Sequence, residues 1–352
     1  MAVRGAASVT APLWHRCQSA PIAESLVPAG SRVILAGARP IGASNDEESD
    51  MLDRRTLLAG MAALPLAARQ SLAQPATGGA LRTARLGEVE VPIVGLGTAR
   101  RYEDPQGEEQ IAPLRATIKR FADLGGSVID MAPSYGRAEE VVGQLVAELG
   151  VREKLFLATK VGADTRVEGA AQIEAAFGKL RTKRIDMIAV HNLRAVNDQL
   201  ALLRDLKAAR RIRVLGITTS FDGQYDAFEA VMRKEPMDVI QVDYALDNRN
   251  AASRILPLAQ EKGLAVMVNL PFGRSRLFEA TRDKPLPGWA AEIGATTWAQ
   301  VFLKYVVSHP SRPIAIPGMA QARYVDDNLG AARGPLPDAA MRARMEQFID
   351  GL

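Results

Sequence analysis

One cysteine, three histidines and few aromatic residues set the first limits on this chain of 352 residues. A lone Cys17 excludes an internal disulfide and any metal site built from several cysteines. His15, His191 and His309 stand in unrelated contexts, which argues against a histidine zinc centre, so no metal is expected. Aromatics make up only 5%, and the net charge of +4 is spread along the chain without a Lys/Arg block. No RNP, zinc-finger or basic-zipper pattern interrupts it, so nucleic acid is not an expected partner. No apolar run is long and clean enough for stable membrane insertion. With 47% hydrophobic residues, however, the chain can bury a large core.

The first 74 residues read as an address. Met51 to Gln74 (MLDRRTLLAGMAALPLAARQSLAQ) places Arg54 and Arg55 ahead of a moderately apolar run, with Ser71-Leu72-Ala73 as an A-x-A-like cleavage site. That order is the layout of a twin-arginine signal peptide, spanning 51–74. It predicts passage through the twin-arginine export machinery to the periplasm, from a cytoplasmic precursor. A short amphipathic helix carrying two arginines is the plainer alternative. Residues 1–50 are rich in Ala, Ser, Pro and Arg and end in the acidic run Asp46-Glu47-Glu48. They read as an upstream extension, disordered or mis-annotated, with translation starting at Met51. A transit peptide ahead of the second signal is the alternative.

From Gly79 to Leu352 one α/β domain is expected. Leu81 to Pro92 alternates apolar and polar residues around Gly87, as a β-hairpin does. Strand-like and helix-like segments then alternate, from Ile93–Gly95 and Ala112–Leu124 through Pro313–Ile316 and Ala322–Ala331, with Asp338–Ile349 as a last helix. Leu264–Val268 opens a long Pro/Gly loop through Gly288. Repeated strand and helix pairs predict a (β/α)8 TIM barrel, with the hairpin as an N-terminal plug and a C-terminal extra helix. A doubly wound sheet would want Gly-x-Gly-x-x-Gly opening a helix, and Gly95-Leu96-Gly97 lacks the third glycine.

Three apolar runs end in reactive side chains. SVIDMAPSYG carries Asp130 and Tyr135, LFLATKVG carries Lys160, and IDMIAVHN carries His191. In a parallel barrel these strand ends converge on one mouth. A carboxylate at the end of a buried strand needs a partner, and Lys160 on the next strand is the natural one. That ammonium should favour the phenolate of Tyr135 and lower its pKa, making it a general acid near neutral pH. His191 can donate a second hydrogen bond to the same substrate oxygen. Singly, each has an ordinary reading: a turn cap, a packing tyrosine, a strand-end lysine, a core histidine. Together they compose a proton donor for a carbonyl oxygen. A glycosidase would need two carboxylates at the mouth, and Asp130 has no matching strand-end Glu.

Taken with Gly95-Leu96-Gly97-Thr98, Glu139, Arg184-Ile185-Asp186, and Ile316-Pro317-Gly318 to Asp327-Asn328, the sequence resembles the aldo-keto reductase family from about Leu81 to Leu329. The resemblance implies an NAD(P)H-dependent oxidoreductase that reduces an aldehyde or ketone, with Tyr135 as proton donor. Lys160 and Asp130 would tune it, and His191 would orient the carbonyl. It implies NADPH or NADH across the mouth, beginning near Gly97 and Thr98, with Thr218, Thr219 and Gln241 at the carboxamide. The pyrophosphate would fall to Leu270, Pro271, Phe272, Gly273 and Arg274, and the adenine end to Gly318, Gln321, Arg323, Asp327 and Asn328. Asn269 stands where the family usually places an aromatic against the nicotinamide, and Gln321 where an arginine often reaches the 2′-phosphate. Pocket walls would come from Arg100–Tyr102, Asn192–Arg194, Phe272–Trp289 and the C-terminal tail. A nicotinamide-nucleotide sensor or partner protein with little turnover is the rival reading.

Overall fold

Strands buried on both faces dictate the architecture. In a computed structural model that describes residues 79–352, β5 (Phe156–Val161) is buried at every position, as a strand covered by helices requires. β6 (Ile185–His191) is buried at all but its last residue. The signal peptide expected at 51–74, the expected upstream extension at 1–50, Cys17 and His15 lie outside the described residues.

The parallel sheet runs in chain order through β3 (Leu96–Gly97), β4 (Val128–Asp130), β5, β6, β7 (Ile212–Thr218), β8 (Val239–Asp243), β9 (Ala265–Asn269) and β10 (Ile314–Ala315). Bridges from Val94 to Ala315 and from Gly97 to Gly318 join its two edges. Gly95 N donates to Ala315 O and Gly97 N to Pro317 O, each at 2.8 Å, which closes the barrel. Expected eight-stranded closure is thus present, although the first strand begins later than Ile93–Gly95 and the last is two residues long.

Helices α1 (Gly107–Asp123), α2 (Ala138–Leu149), α3 (Arg166–Lys179), α4 (Val196–Ala208), α5 (Tyr225–Lys234) and α6 (Ile255–Glu261) follow the first six barrel strands in turn. After β9 come α7 (Arg276–Ala280) and α8 (Trp298–Val307), and after β10 come α9 (Ala322–Gly330) and α10 (Ala339–Asp350). Local sequence sets their starts. Thr165 and Glu168 form a reciprocal capping box on α3, while Thr297 caps α8 and Asp338 caps α10. The long loop expected through Gly288 holds α7, anchored by buried Leu277. Five residues are too few to display helical periodicity in sequence.

Hairpin strands β1 (Thr83–Leu86) and β2 (Val89–Pro92) pair antiparallel, with Ala84, Leu86 and Val91 buried. A cavity of about 810 Å³ beside the hairpin turn is lined by Gly87, Val89, Ile212 and Ala265, which places the hairpin at the N-terminal end of the barrel. The C-terminal end is left open for side chains at strand ends. No described helix is long and apolar enough to cross a membrane.

Candidate active site

Asp130 closes β4 and Lys160 lies near the end of β5, the neighbouring strand. Lys160 Nζ donates to Asp130 Oδ1 and Oδ2 at 2.8 Å each and to Met131 O at 2.7 Å. Both side chains are almost wholly buried, at 2% and 5% exposure. Three oxygens thus surround the ammonium. Burial is the largest influence on Lys160 and would strip its proton, but Asp130 and then Tyr135 outweigh it, and the amine stays above its ordinary value. The same burial pushes the Asp130 carboxyl up against the pull of Lys160. Two equal 2.8 Å contacts fit the ionised pair.

Tyr135 sits on the turn after β4, with its ring centroid 5.3 Å from Lys160 Nζ. Its ring meets that of His191 edge-on at 6.3 Å. The four residues singled out by sequence thus share one spot at the mouth. One expectation about them is corrected. Lys160 is the largest influence on the Tyr135 phenol and does pull its pKa down. Burial, then the Asp130 and Glu103 carboxylates, push it up by more, and it ends above its ordinary value. The lysine charge is already matched by Asp130, so the free protein holds a protonated phenol. His191 is pushed down to about 4, first by burial and then by Lys160, so its imidazole is neutral at physiological pH.

Around this quartet lie several residues expected to hold a cofactor. Thr98, fully buried, donates from Oγ1 to Asp130 O at 2.9 Å and steadies the end of β4. Thr218 ends β7 opposite Gln241 on β8. Gln241 Nε2 donates to Asp130 Oδ1 at 3.3 Å, a link across 111 residues of chain. Its Oε1 is buried without a partner among the described residues, and so is Oδ1 of Asn269 at the end of β9. Asn269 Nδ2 donates to Thr219 O at 3.3 Å. Buried acceptors left open are uncommon, and two on neighbouring strands suit the two N–H groups of a carboxamide.

Beyond them Leu270, Gly273, Arg274 and Ser275 adopt positive φ, a backbone form that gathers N–H groups toward an anion. Pro271 is buried and Phe272 packs on Phe278 with centroids 4.8 Å apart. The Asp247 carboxylate, missed by the sequence reading, lies against this loop and pairs with Arg276 at 2.8 Å. Nothing local marked it, because its partner lies 29 residues downstream.

The adenine-side group divides. Gly318 bridges to Gly97, Gln321 precedes α9, and exposed Arg323 rests on the Tyr324 ring at 5.0 Å. Asp327 turns instead toward α8, accepting from Thr297 Oγ1 at 2.7 Å and Gln300 Nε2 at 3.0 Å, while Asn328 is buried. Tyr102, expected on the pocket wall, is fully buried and donates to Met319 O at 3.1 Å. Arg194 is bound to Asp164 and to Gly162 O.

The closed parallel barrel thus carries a buried lysine–aspartate pair, a tyrosine and a neutral histidine together at its C-terminal mouth. The chain belongs to the aldo/keto reductase family, whose model matches residues 94–349, and hence to the NAD(P)H-dependent oxidoreductases. It is 29% identical to methylglyoxal reductase YeaE of Escherichia coli over 266 residues, 72% of this chain and 90% of that one. It is also 29% identical to aldo-keto reductase YhdN of Bacillus subtilis over 195 residues, 51% of this chain but only 58% of that relative. An aldo/keto reductase from Klebsiella pneumoniae, solved in complex with NADP and acetate, superposes with a TM-score of 0.67 at 26% identity. That match covers 77% of this chain and 96% of that structure.

Proposed function

We propose that this protein reduces an aldehyde or ketone to an alcohol with NADPH or NADH, using Tyr135 as the proton donor. The observation that carries this reading is the Lys160 ammonium, held by both Asp130 oxygens and standing 5.3 Å from the Tyr135 ring. When bound, the nicotinamide supplies hydride to the carbonyl carbon. Gln241 and Asn269 would take the carboxamide through their open acceptors, beside Thr218 and Thr219. The loop from Leu270 to Ser275, left-handed at Leu270 and from Gly273 to Ser275, would take the pyrophosphate. Gly318, Gln321 and Arg323 remain available toward the adenine end, whereas Asp327 acts through α8.

The residues of the chain then divide the proton work. Tyr135 enters protonated and gives its hydroxyl proton to the carbonyl oxygen as charge develops there. Lys160 steadies the phenolate left behind, and Asp130 keeps that lysine charged in a buried place. Neutral His191 offers a ring N–H to the same oxygen without adding a competing acid.

The test uses purified protein, NADPH and a panel of aldehydes. Tyr135→Phe should lower turnover by about 10²–10⁴-fold, the range for a positioned acid. Unchanged turnover would remove Tyr135 from the mechanism. Tight NADPH binding by the wild type without turnover would favour the sensor or partner-protein reading, for which Asn269 in an aromatic's usual place speaks. The twin-arginine pattern at Arg54 and Arg55 supports export to the periplasm. Replacing both with lysine should trap the protein in the cytoplasm, and equal recovery outside would end that proposal.

A further inference from the structure

At the base of the barrel, the end opposite Tyr135, the hairpin leaves open the cavity of about 810 Å³. That volume falls in the range of small-molecule sites, roughly 300–1,000 Å³. Its walls are fixed on two sides. Gly87 in the hairpin turn has φ +65, and a Cβ there would meet Val214 Cγ2 at 2.8 Å, so the turn is seated hard on β7. Across the cavity Asp238 accepts from Lys207 Nζ at 2.6 and 2.7 Å and from Leu215 N at 3.0 Å, which ties α4 and β7 to the entry of β8.

The floor of this space is apolar. Ile212 is buried there, while Val89, Met237, Leu264 and Ala265 are only half-buried. The rim is cationic, and its exposed charges come from separate turns: Arg85 from the hairpin, Arg184 from the entry to β6, Arg210 and Arg213 from the start of β7, and Lys262 from the turn before β9. Glu88 and Asp238 are the carboxylates that line the cavity. Asp238 is matched by Lys207, and buried Asp186 by Arg152 and Arg213, with Arg184 reaching it only at 3.9 Å. Glu90 stands opposite Arg85 across the hairpin but does not line the space. Among the described residues Arg85, Arg210 and Lys262 form no ion pair. With both signs counted, the rim keeps an excess of positive charge over Glu88.

We propose that this cavity is a second ligand site, which binds a small amphipathic organic anion at the end of the barrel remote from the carbonyl chemistry. The apolar body of such a ligand removes water from Val89, Met237 and Leu264. Its negative head meets Arg85, Arg210 and Lys262, whose charges nothing else in the fold satisfies. The site stands independently of the reductase reading, since none of its residues belongs to the mouth.

The experiment is a fluorescence titration of the whole protein with 8-anilinonaphthalene-1-sulfonate, with and without saturating NADP+. Its comparison probe is N-phenyl-1-naphthylamine, which has the same rings and no charge. The sulfonate should saturate a site from which NADP+ does not displace it. Arg85→Gln and Arg210→Gln, both at exposed positions, should each weaken it about three- to tenfold, and high salt should weaken it as well. Met237→Glu, which puts a carboxylate on the floor, should weaken it further. The uncharged probe should bind less tightly and respond to neither arginine change. Displacement by NADP+, wild-type affinity in both arginine variants, absence of saturable binding, or equal affinity for the two probes would each overturn the site. Aldehyde turnover by the same preparations tests the reductase reading separately.

Discussion

Asp130 and Asp186 are both buried carboxylates facing cations, one at each end of the barrel, and they are satisfied in different ways. At the base, Asp186 Oδ2 accepts from Arg152 Nη2 at 2.8 Å and from Leu157 N at 3.0 Å, and Oδ1 faces Arg213 Nε at 3.1 Å. Those arginines are 22% and 41% exposed, so water shares their charge. At the mouth, Asp130 faces a lysine that is only 2% exposed. Enclosing both charges costs desolvation that geometry must offset. The base pair ties β6 to its neighbours. The mouth pair instead keeps an ammonium charged where a phenol will need it. Open acceptors on Gln241 and Asn269 lie at that same end.

The sharpest break is one substitution made at both ends. Asp130→Asn should lower kcat/KM by about 10²–10³ per folded molecule, because Lys160 loses the charge that keeps it protonated. Asp186→Asn should leave turnover per folded molecule within about twofold, while costing about 2–4 kcal/mol of stability as two arginines lose their counter-charge and one of the two acceptor oxygens becomes a donor. Steady-state kinetics beside denaturant unfolding reads both. A large kinetic loss from Asp186→Asn would erase the distinction.

Histidines extend the comparison. His191 at the mouth and His309 beyond α8 are each pushed down to about 4, His191 by burial and Lys160, His309 by burial and Arg342. Between about pH 6.5 and 4 the unfolded chain binds protons that the folded chain refuses. Stability is therefore intact above pH 6.5 and falls as the pH drops through that window, by about 3 kcal/mol for His191. His191→Gln and His309→Gln should each flatten the fall, read as Tm against pH. Only His191→Gln should also reduce turnover at neutral pH, by tenfold or more.

Much of the mouth was legible because of one rule: an apolar run that ends in a charge must deliver that charge to a partner. Asp130 and Lys160 both followed it. What escaped the sequence depended on distance through the chain. The Gln241 to Asp130 bond, the turn of Asp327 toward Thr297, and the burial of Tyr102 under Met319 join segments far apart in sequence. The direction of the Tyr135 shift escaped as well, since sequence reveals the lysine but not the burial and carboxylates that outweigh it. Periodicity located the long helices and missed α7, whose single buried anchor, Leu277, makes no pattern.

Two glycines give a smaller test. Gly273 at the mouth has φ +57, and a Cβ there would meet Asp247 Oδ1 at 2.1 Å. Gly263 at the base has φ +66 with open space around it. Gly273→Ala must displace the loop that would hold the pyrophosphate, and should weaken NADPH binding about ten- to thirtyfold by fluorescence titration. Gly263→Ala meets only backbone strain and should cost about 1 kcal/mol of stability, with binding unchanged. Equal binding by both variants would detach the loop from the cofactor.

The smallest effect concerns Asn269, where a polar side chain ends β9 at the lip of the site. Its Nδ2 reaches Thr219 O at a long 3.3 Å and its Oδ1 has no partner among the described residues. The residue is thus held weakly and offers a nicotinamide no flat face. Asn269→Phe would remove the open Oδ1 acceptor, worth about 1 kcal/mol to a carboxamide N–H, so NADPH should bind about fivefold more weakly. Tighter binding by Asn269→Phe would mean instead that aromatic contact outweighs the acceptor, and that the open Oδ1 is not what holds the carboxamide.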